Sequence, residues 1–291
     1  MSWPQAEFDV SPHRVRARID AQFPHLARES LRTVGEGFDN VLYRIGDDFV
    51  ARFPRRRVAA QLIEHEIKWL PTIAARLPVP VPVPLHVGEP GVDYPTRWLI
   101  TRWYDGETAD VASYEPDAHV ALALSGLLSS LHHTAPSDAP RNPLRGVPLV
   151  DRVDSFEERL IVVADHVDVR AVQEVWDEAL GASPFTGEPV WLHGDLHPGN
   201  VLINSGRLHA VLDFGDMCAG DPATDLAGAW MLLRRHSIDA VLSSYCPSAT
   251  DLVARSRGWA ALFALFFIDL GLTSRPSYLR IGRRTLENLF A

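Results

Sequence analysis

The stretch from Val190 to Asp216, VWLHGDLHPGNVLINSGRLHAVLDFGD, constrains this chain more than any other. It holds H-G-D-L-x-x-x-N, with His193, Gly194, Asp195, Leu196 and Asn200, and thirteen residues beyond Asn200 comes D-F-G, with Asp213, Phe214 and Gly215. Between the two motifs, VLI (201–203) and LHAVLDF (208–214) are short apolar runs around Asn204-Ser205-Gly206, the pattern of a β-hairpin. Such a hairpin sets Asn200 at the start of one strand and Asp213 at the end of the other, where both can face one ion. The residue types suit phosphoryl transfer. A carboxylate such as Asp195 accepts the proton of an attacking hydroxyl and orients it, while a side-chain amide and a second carboxylate, Asn200 and Asp213, hold Mg²⁺ against phosphate oxygens. Ordinary Asp-Gly and Pro-Gly-Asn turns would account for either motif alone. They do not account for both in order with a hairpin between.

The same motifs mark kinase catalytic loops, with Gly194 standing where protein kinases carry Arg. HGDLHPGNVL, LDFGD and GDPATDLA (220–227) together resemble the aminoglycoside phosphotransferase family of antibiotic and small-molecule kinases. The resemblance implies an α+β, protein-kinase-like fold of two lobes. Residues 1–101 would form a nucleotide-binding lobe, an antiparallel sheet with a helix. Residues 102–291 would form a mainly helical lobe that carries the catalytic hairpins and binds the substrate. It further implies ATP or GTP as phosphate donor, Mg²⁺ as cofactor, Asp195 as the catalytic residue and Asn200 and Asp213 as metal ligands. A protein kinase fits less well. Gly194 removes the Arg that would read an activation-loop phosphate, and only twelve positions separate Asp213 from Asp225, with no A-P-E between.

In the first hundred residues, Ser11-Pro12 is expected to open a helix running to Gln22. VLYRI (41–45) and FVARF (49–53) read as a strand pair turning at Gly46-Asp47-Asp48, preceded by Gly35-Glu36-Gly37 as a loop between the first two strands. Gly35 and Gly37 would let backbone amides approach a phosphate. Kinases place a phosphate-contacting Lys on the third strand. The chain's single Lys, Lys68, lies instead in a helical stretch, and Arg52 occupies the strand position. Some relatives, macrolide kinases among them, are similar in reading R-x-P-R-R here. Arg binds phosphate bidentately and never deprotonates. The helix expected over 57–70, stopped or restarted by Pro71, offers Glu66 as the Arg52 partner that the resemblance implies, with Glu64 as the alternative on another face. LPVPVPVP (77–84) can only be extended. TRWLITRWYDG (96–106) reads as the last strand of the sheet and a crossover, and the resemblance implies adenine contacts between Arg102 and Tyr104.

Beyond the crossover the expected helices cover 117–133, a segment opened by a Ser155-x-x-Glu158 capping box, one closed by Gly181, and 223–236 and 251–272. His132 and His133 point about 100° apart on a helix and are expected to be structural rather than a metal pair. A net charge of −9 disfavours nucleic acid as a partner. Residues 1–101 hold 13 Lys and Arg against 12 Asp and Glu, whereas the remainder holds 15 against 25. That acidic second part would attract a cationic small molecule, which favours an aminoglycoside as acceptor, with a macrolide, a metabolite such as homoserine or choline, or a non-catalytic nucleotide-binding role as the alternatives. Two widely separated cysteines, no secretory pattern in the first twenty residues and a longest charge-free apolar run of only Gly258 to Ile268 predict a cytoplasmic protein with no membrane partner.

Overall fold

Alternation between buried and half-buried positions shapes the N-terminal sheet in the computed structural model, which describes residues 4–114, 118–246 and 250–291. Helix α1 (Pro12–Gln22) precedes strands β1 (Leu31–Glu36), β2 (Asn40–Ile45) and β3 (Phe49–Pro54), helix α2 (Arg57–Ala74) and strands β4 (His86–Gly88) and β5 (Trp98–Arg102). The strands form an antiparallel sheet in the order β1-β2-β3-β5-β4. On β2, Val41, Tyr43 and Ile45 turn into a core with Phe53, Trp98 and Ile19 of α1. The Phe53 and Trp98 rings stack at 4.4 Å.

Three local expectations need correction here. Ser11 sits at the N-cap of α1, but its hydroxyl meets His13 Nδ1 at 3.1 Å and caps nothing. Gly35 and Glu36 belong to β1 itself, where the register shifts between Thr33 and Gly35; the turn is 37–39, closed by the Gly37 amide donating to Asn40 O at 2.8 Å. Pro71 does not end α2. Leu70 and Ile73 are both buried, so packing on either side of the exposed proline carries the helix to Ala74. The proline-rich 77–84 segment is extended as expected, and it also braces the catalytic hairpin: the Val211 amide donates to Pro80 O at 3.0 Å.

The chain continues through β6 (Glu107–Thr108), α3 (Ala118–Leu131), α4 (Val153–Val163), α5 (Val169–Gly181), β7 (Val190–Leu192), β8 (Val201–Asn204), β9 (Arg207–Val211) and β10 (Cys218–Gly220). Helices α6 (Ala223–Leu232), α7 (Arg235–Tyr245), α8 (Thr250–Thr273) and α9 (Pro276–Phe290) complete it. Strands β6, β8 and β9 make one small sheet, and β7 pairs with β10 in another. Helix α8 lies at the centre of the second core, against α4, α5, α6 and α9. By length and composition it could cross a membrane, yet 67% of its most apolar window is buried within this chain. Position 117, the expected start of α3, lies outside the described residues. Helix α4 begins at Val153, so Ser155 is inside it and is not its cap. The helix expected over 223–236 is two helices. Leu233 is extended, and from α9 the Asn288 amide donates to Trp230 O and Leu233 O at 2.8 and 2.9 Å, satisfying the carbonyls that a continuous helix would have used.

Candidate active site

One buried carboxylate organises the catalytic loop. Asp225, on the first turn of α6, accepts the His193 amide at 2.6 Å and the Gly194 amide at 2.8 Å. His132, itself buried, meets the same carboxylate at 3.2 Å through Nε2 and Tyr245 Oη at 2.7 Å through Nδ1. Burial works to raise the Asp225 carboxyl, but His132 and the loop amides outweigh it and hold it below the usual range. The expected structural role of His132 is what the geometry shows. Gly194 has φ +82, and a Cβ there would stand 2.4 Å from Asp216 O. No other residue fits this turn, the arginine of protein kinases included. His193 then spans the loop. Its Nδ1 accepts from the Asp195 amide at 3.1 Å, so its proton is on Nε2, which donates to Leu212 O at 2.9 Å.

Those contacts bring the motif side chains together. Asn200 donates from Nδ2 to Asp195 O at 2.9 Å and to Asp195 Oδ2 at 3.3 Å. The Leu212 amide returns to Asn200 O at 2.8 Å. Ser205 and Gly206 at φ 50 and 74 form the left-handed turn between β8 and β9. Strand β9 ends at Val211, two residues before Asp213, whose φ of 58 is rare outside glycine. That conformation presents a half-exposed carboxylate to the cleft. Asp195 also meets His197 Nε2 at 3.4 Å and Arg145 Nη2 at 3.5 Å. Burial would raise its carboxyl, yet His197 and Arg145 prevail and hold it far below the ordinary carboxylate range.

Arg52 ties the sheet to the D-F-G segment. From β3 its guanidinium donates to Glu66 Oε2 at 2.5 Å and to Asp213 Oδ1 at 2.9 Å. Glu66, one face of α2 inward, is fully buried, whereas Glu64 is on the surface with Arg97 at 3.3 Å. Lys68 is an exposed partner of Asp138. Burial pushes the Glu66 carboxyl up to about 7 even beside Arg52, because the guanidinium is shared with Asp213 and Glu66 Oε1 has no partner.

The other expected contact residues spread around this centre. Gly37 heads the 37–39 turn, whose Asp39 is close enough to feel the carboxylates of the two motifs. Burial raises the Asp39 carboxyl, Arg56 at 3.1 Å pulls it back, and Asp213, Asp216 and Asp195 push it up further. Gly35 lies back on β1, away from the turn's tip, and Arg275 at the start of α9 donates to the intervening Glu36 O at 2.6 Å. Arg102 is exposed at the end of β5. The Tyr104 hydroxyl is spent on Val81 O at 3.0 Å, in the proline-rich segment. Sequence reasoning missed Asp225 as an anchor, although GDPATDLA contains it. It gave no role to the Asp216 carboxylate that Asn142 Nδ2 reaches at 2.8 Å, although LDFGD ends in it, and it missed Arg145, which no local pattern signals.

Oxygen donors suited to Mg²⁺ are present. Arg52 occupies one Asp213 oxygen and leaves Oδ2, and with Asn200 Nδ2 turned to Asp195 its Oδ1 is the amide atom available to a cation. Among the described residues no three His, Cys, Asp or Glu cluster as a closed metal cage.

Known proteins resemble this chain in sequence and in fold. An aminoglycoside 3'-phosphotransferase from Salmonella typhimurium is 31% identical over 146 residues, 48% of this chain and 54% of that protein. One from Escherichia coli is 30% identical over 146 residues, with the same coverage. The chain thus spans about half the length of the curated relatives it matches. Solved structures share the fold over nearly the whole chain. The GDP complex of an aminoglycoside 2'-phosphotransferase superposes with a TM-score of 0.67 at 21% identity, covering 96% of this chain and 98% of that one. A macrolide 2'-phosphotransferase from Brachybacterium faecium gives 0.61 at 21% identity, covering 93% and 98%. With the phosphotransferase enzyme family matching residues 30–261, well over half of its length, this chain belongs to that family and has its two-lobe, kinase-like fold.

Proposed function

We propose that the protein transfers the γ-phosphoryl group of ATP or GTP to a hydroxyl of a small molecule. The observation that carries this reading is the convergence of Asp195, Asn200, Asp213, Arg52 and Glu66 on one cleft from two motifs and a sheet far apart in sequence. In this mechanism Asp195 accepts the hydroxyl hydrogen and aligns the oxygen for in-line attack. Its depressed pKa makes it a weak base, and alignment is what a loose phosphoryl transition state demands most. Asn200 and Asp213 would hold Mg²⁺, which when bound neutralises charge on the phosphates. Arg52, pinned by Glu66, would face the nucleotide phosphates from residues 1–101, with the turn at Gly37 and the backbone from Arg102 to Tyr104 framing the rest of the nucleotide. Residues 102–291 would take the acceptor. The names of the curated relatives favour an aminoglycoside. Arg52-Phe53-Pro54-Arg55-Arg56 favours a macrolide-type relative as the second reading.

Nucleotide binding at limiting Mg²⁺ tests the core of this proposal. Asp213→Ala is expected to weaken it more than Asn200→Ala, because a formal charge is lost; equal affinity in wild type and Asp213→Ala would remove the metal role. Arg52 is tested separately. Arg52→Ala is expected to raise KM for nucleotide and lower kcat, and Arg52→Lys to rescue part of the loss, since lysine restores charge without the planar fork. Glu66→Ala should reproduce the defect, and the double variant should be less than additive. Full additivity in steady-state kinetics would show that the 2.5 Å pair does not act as a unit in catalysis.

A further inference from the structure

His197 stands two residues after Asp195, in His197-Pro198-Gly199-Asn200, and phosphoryl transfer does not by itself call for an imidazole there. Each residue of that run constrains the ring. A proline restricts its predecessor to extended backbone, and His197 has φ −135 and ψ 167. Its Nδ1 accepts the Gly199 amide at 3.0 Å, closing the short turn Pro198–Asn200. Gly199 leaves the room this needs, because a Cβ there would stand 2.7 Å from His197 Cε1 and 3.1 Å from Nδ1. Phe267 of α8 and Tyr278 of α9 pack on the ring with centroids 4.9 and 6.0 Å away, and only 6% of the residue is exposed. Three separate elements therefore set the position of this imidazole.

An imidazole whose Nδ1 accepts a hydrogen bond carries its proton on Nε2. That atom is 3.4 Å from Asp195 Oδ2, a long contact of the kind that tightens when reactants fill a cleft. Asn200 Nδ2 lies 3.3 Å from the same oxygen. Oδ1 meets Arg145 Nη2 at 3.5 Å. The two oxygens are thus unequal: two N–H groups of the loop face Oδ2, and one faces Oδ1. The difference matters because the last torsion of an aspartate is broad, and a carboxylate left to turn about it would present either oxygen at varying angles. We infer that His197 is a positioning residue, whose Nε2–H works with Asn200 to hold Oδ2 against the loop and so turns Oδ1 to the hydroxyl of the acceptor. His197 acts on the reaction only through Asp195. This role rests on the phosphotransferase reading; the tautomer and the contact with Asp195 do not.

Two substitutions separate positioning from a purely structural turn. His197→Gln keeps an N–H within reach of Asp195 and gives up the Nδ1 acceptor. His197→Asn keeps an acceptor for the Gly199 amide and gives up the N–H at Asp195. Positioning predicts kcat for acceptor phosphorylation in the order wild type, His197→Gln, His197→Asn, with KM for nucleotide near wild type in both variants. The loss in His197→Asn should reach about 10²-fold, which is what misplacing a reacting group by about 1 Å can bring. A structural turn predicts the reverse order, so a His197→Asn enzyme with kcat equal to or above that of His197→Gln would overturn positioning. Long-range ¹H–¹⁵N spectra of the full chain need no acceptor, the His197 signals being assigned by their loss in His197→Gln. They should show the proton on Nε2, and Asp195→Ala should move the Nε2 resonance while Nδ1 stays in place. A proton on Nδ1, or an Nε2 signal indifferent to Asp195→Ala, would overturn the contact itself. A wild-type chain with the expected Nε2 signature that phosphorylates no member of a panel of aminoglycosides, macrolides and small metabolite alcohols, with Mg²⁺ and ATP or GTP, would support the contact and count against the phosphotransferase reading alone.

Discussion

Asp195→Ala is expected to cut acceptor-dependent turnover by about 10²–10⁴-fold, the usual contribution of a positioned general base. Nucleotide affinity should survive, because in the proposed mechanism Asp195 would face the acceptor while Arg52 and Asp213, paired at 2.9 Å, would face the nucleotide phosphates and the metal. Asp195→Asn is the finer test. It keeps the side-chain shape and removes the charge that holds His197 and Arg145. Since those two neighbours keep the carboxyl well below its ordinary range, wild-type activity should not fall through protonation of Asp195 as the pH drops from 7 towards the normal carboxylate region. Turnover of Asp195→Ala within tenfold of wild type would sink the assignment, and an acid limb centred on the ordinary Asp value would contradict the electrostatics.

Asp225 is expected to produce the second large effect without touching any reactant. Asp225→Ala strands two buried loop amides and His132, and removing one partner of a buried charged network costs about 3–5 kcal/mol. A shift of the denaturant midpoint at unchanged slope would measure it. Asp225→Asn should cost less stability, since one oxygen still accepts an amide, but its NH₂ must then face a backbone N–H. The catalytic loop should shift as a result and kcat should fall, with a smaller change in KM for nucleotide. An Asp225→Asn enzyme with wild-type kcat would show that the loop holds its conformation without the carboxylate, through Gly194 and His193 alone.

Much of this architecture was legible from residue order. The hairpin between Asn200 and Asp213 could be read because two apolar runs and an Asn-Ser-Gly turn are local patterns, and the turn is indeed left-handed at Ser205 and Gly206. Arg52 and Glu66 could be matched because strand and helix follow one another directly, so the residue in place of lysine had few possible partners. Errors arose where a distant contact overrode a local signal. Pro71 stays helical because Leu70 and Ile73 are buried, Leu233 leaves its helix because Asn288 satisfies its carbonyl, and Ser155 is no cap because α4 starts two residues earlier. The cation beside Asp195 was out of reach for the same reason. Composition counts every carboxylate in residues 102–291, whereas Asp195 itself meets Arg145, brought beside it from fifty residues away in the chain. Sequence determined the chemistry, because the loop's function needs particular side chains at short spacings. The tertiary structure alone decided which charges surround that loop and how they pair, because burial and pairing depend on elements whose separation along the chain carries no signal.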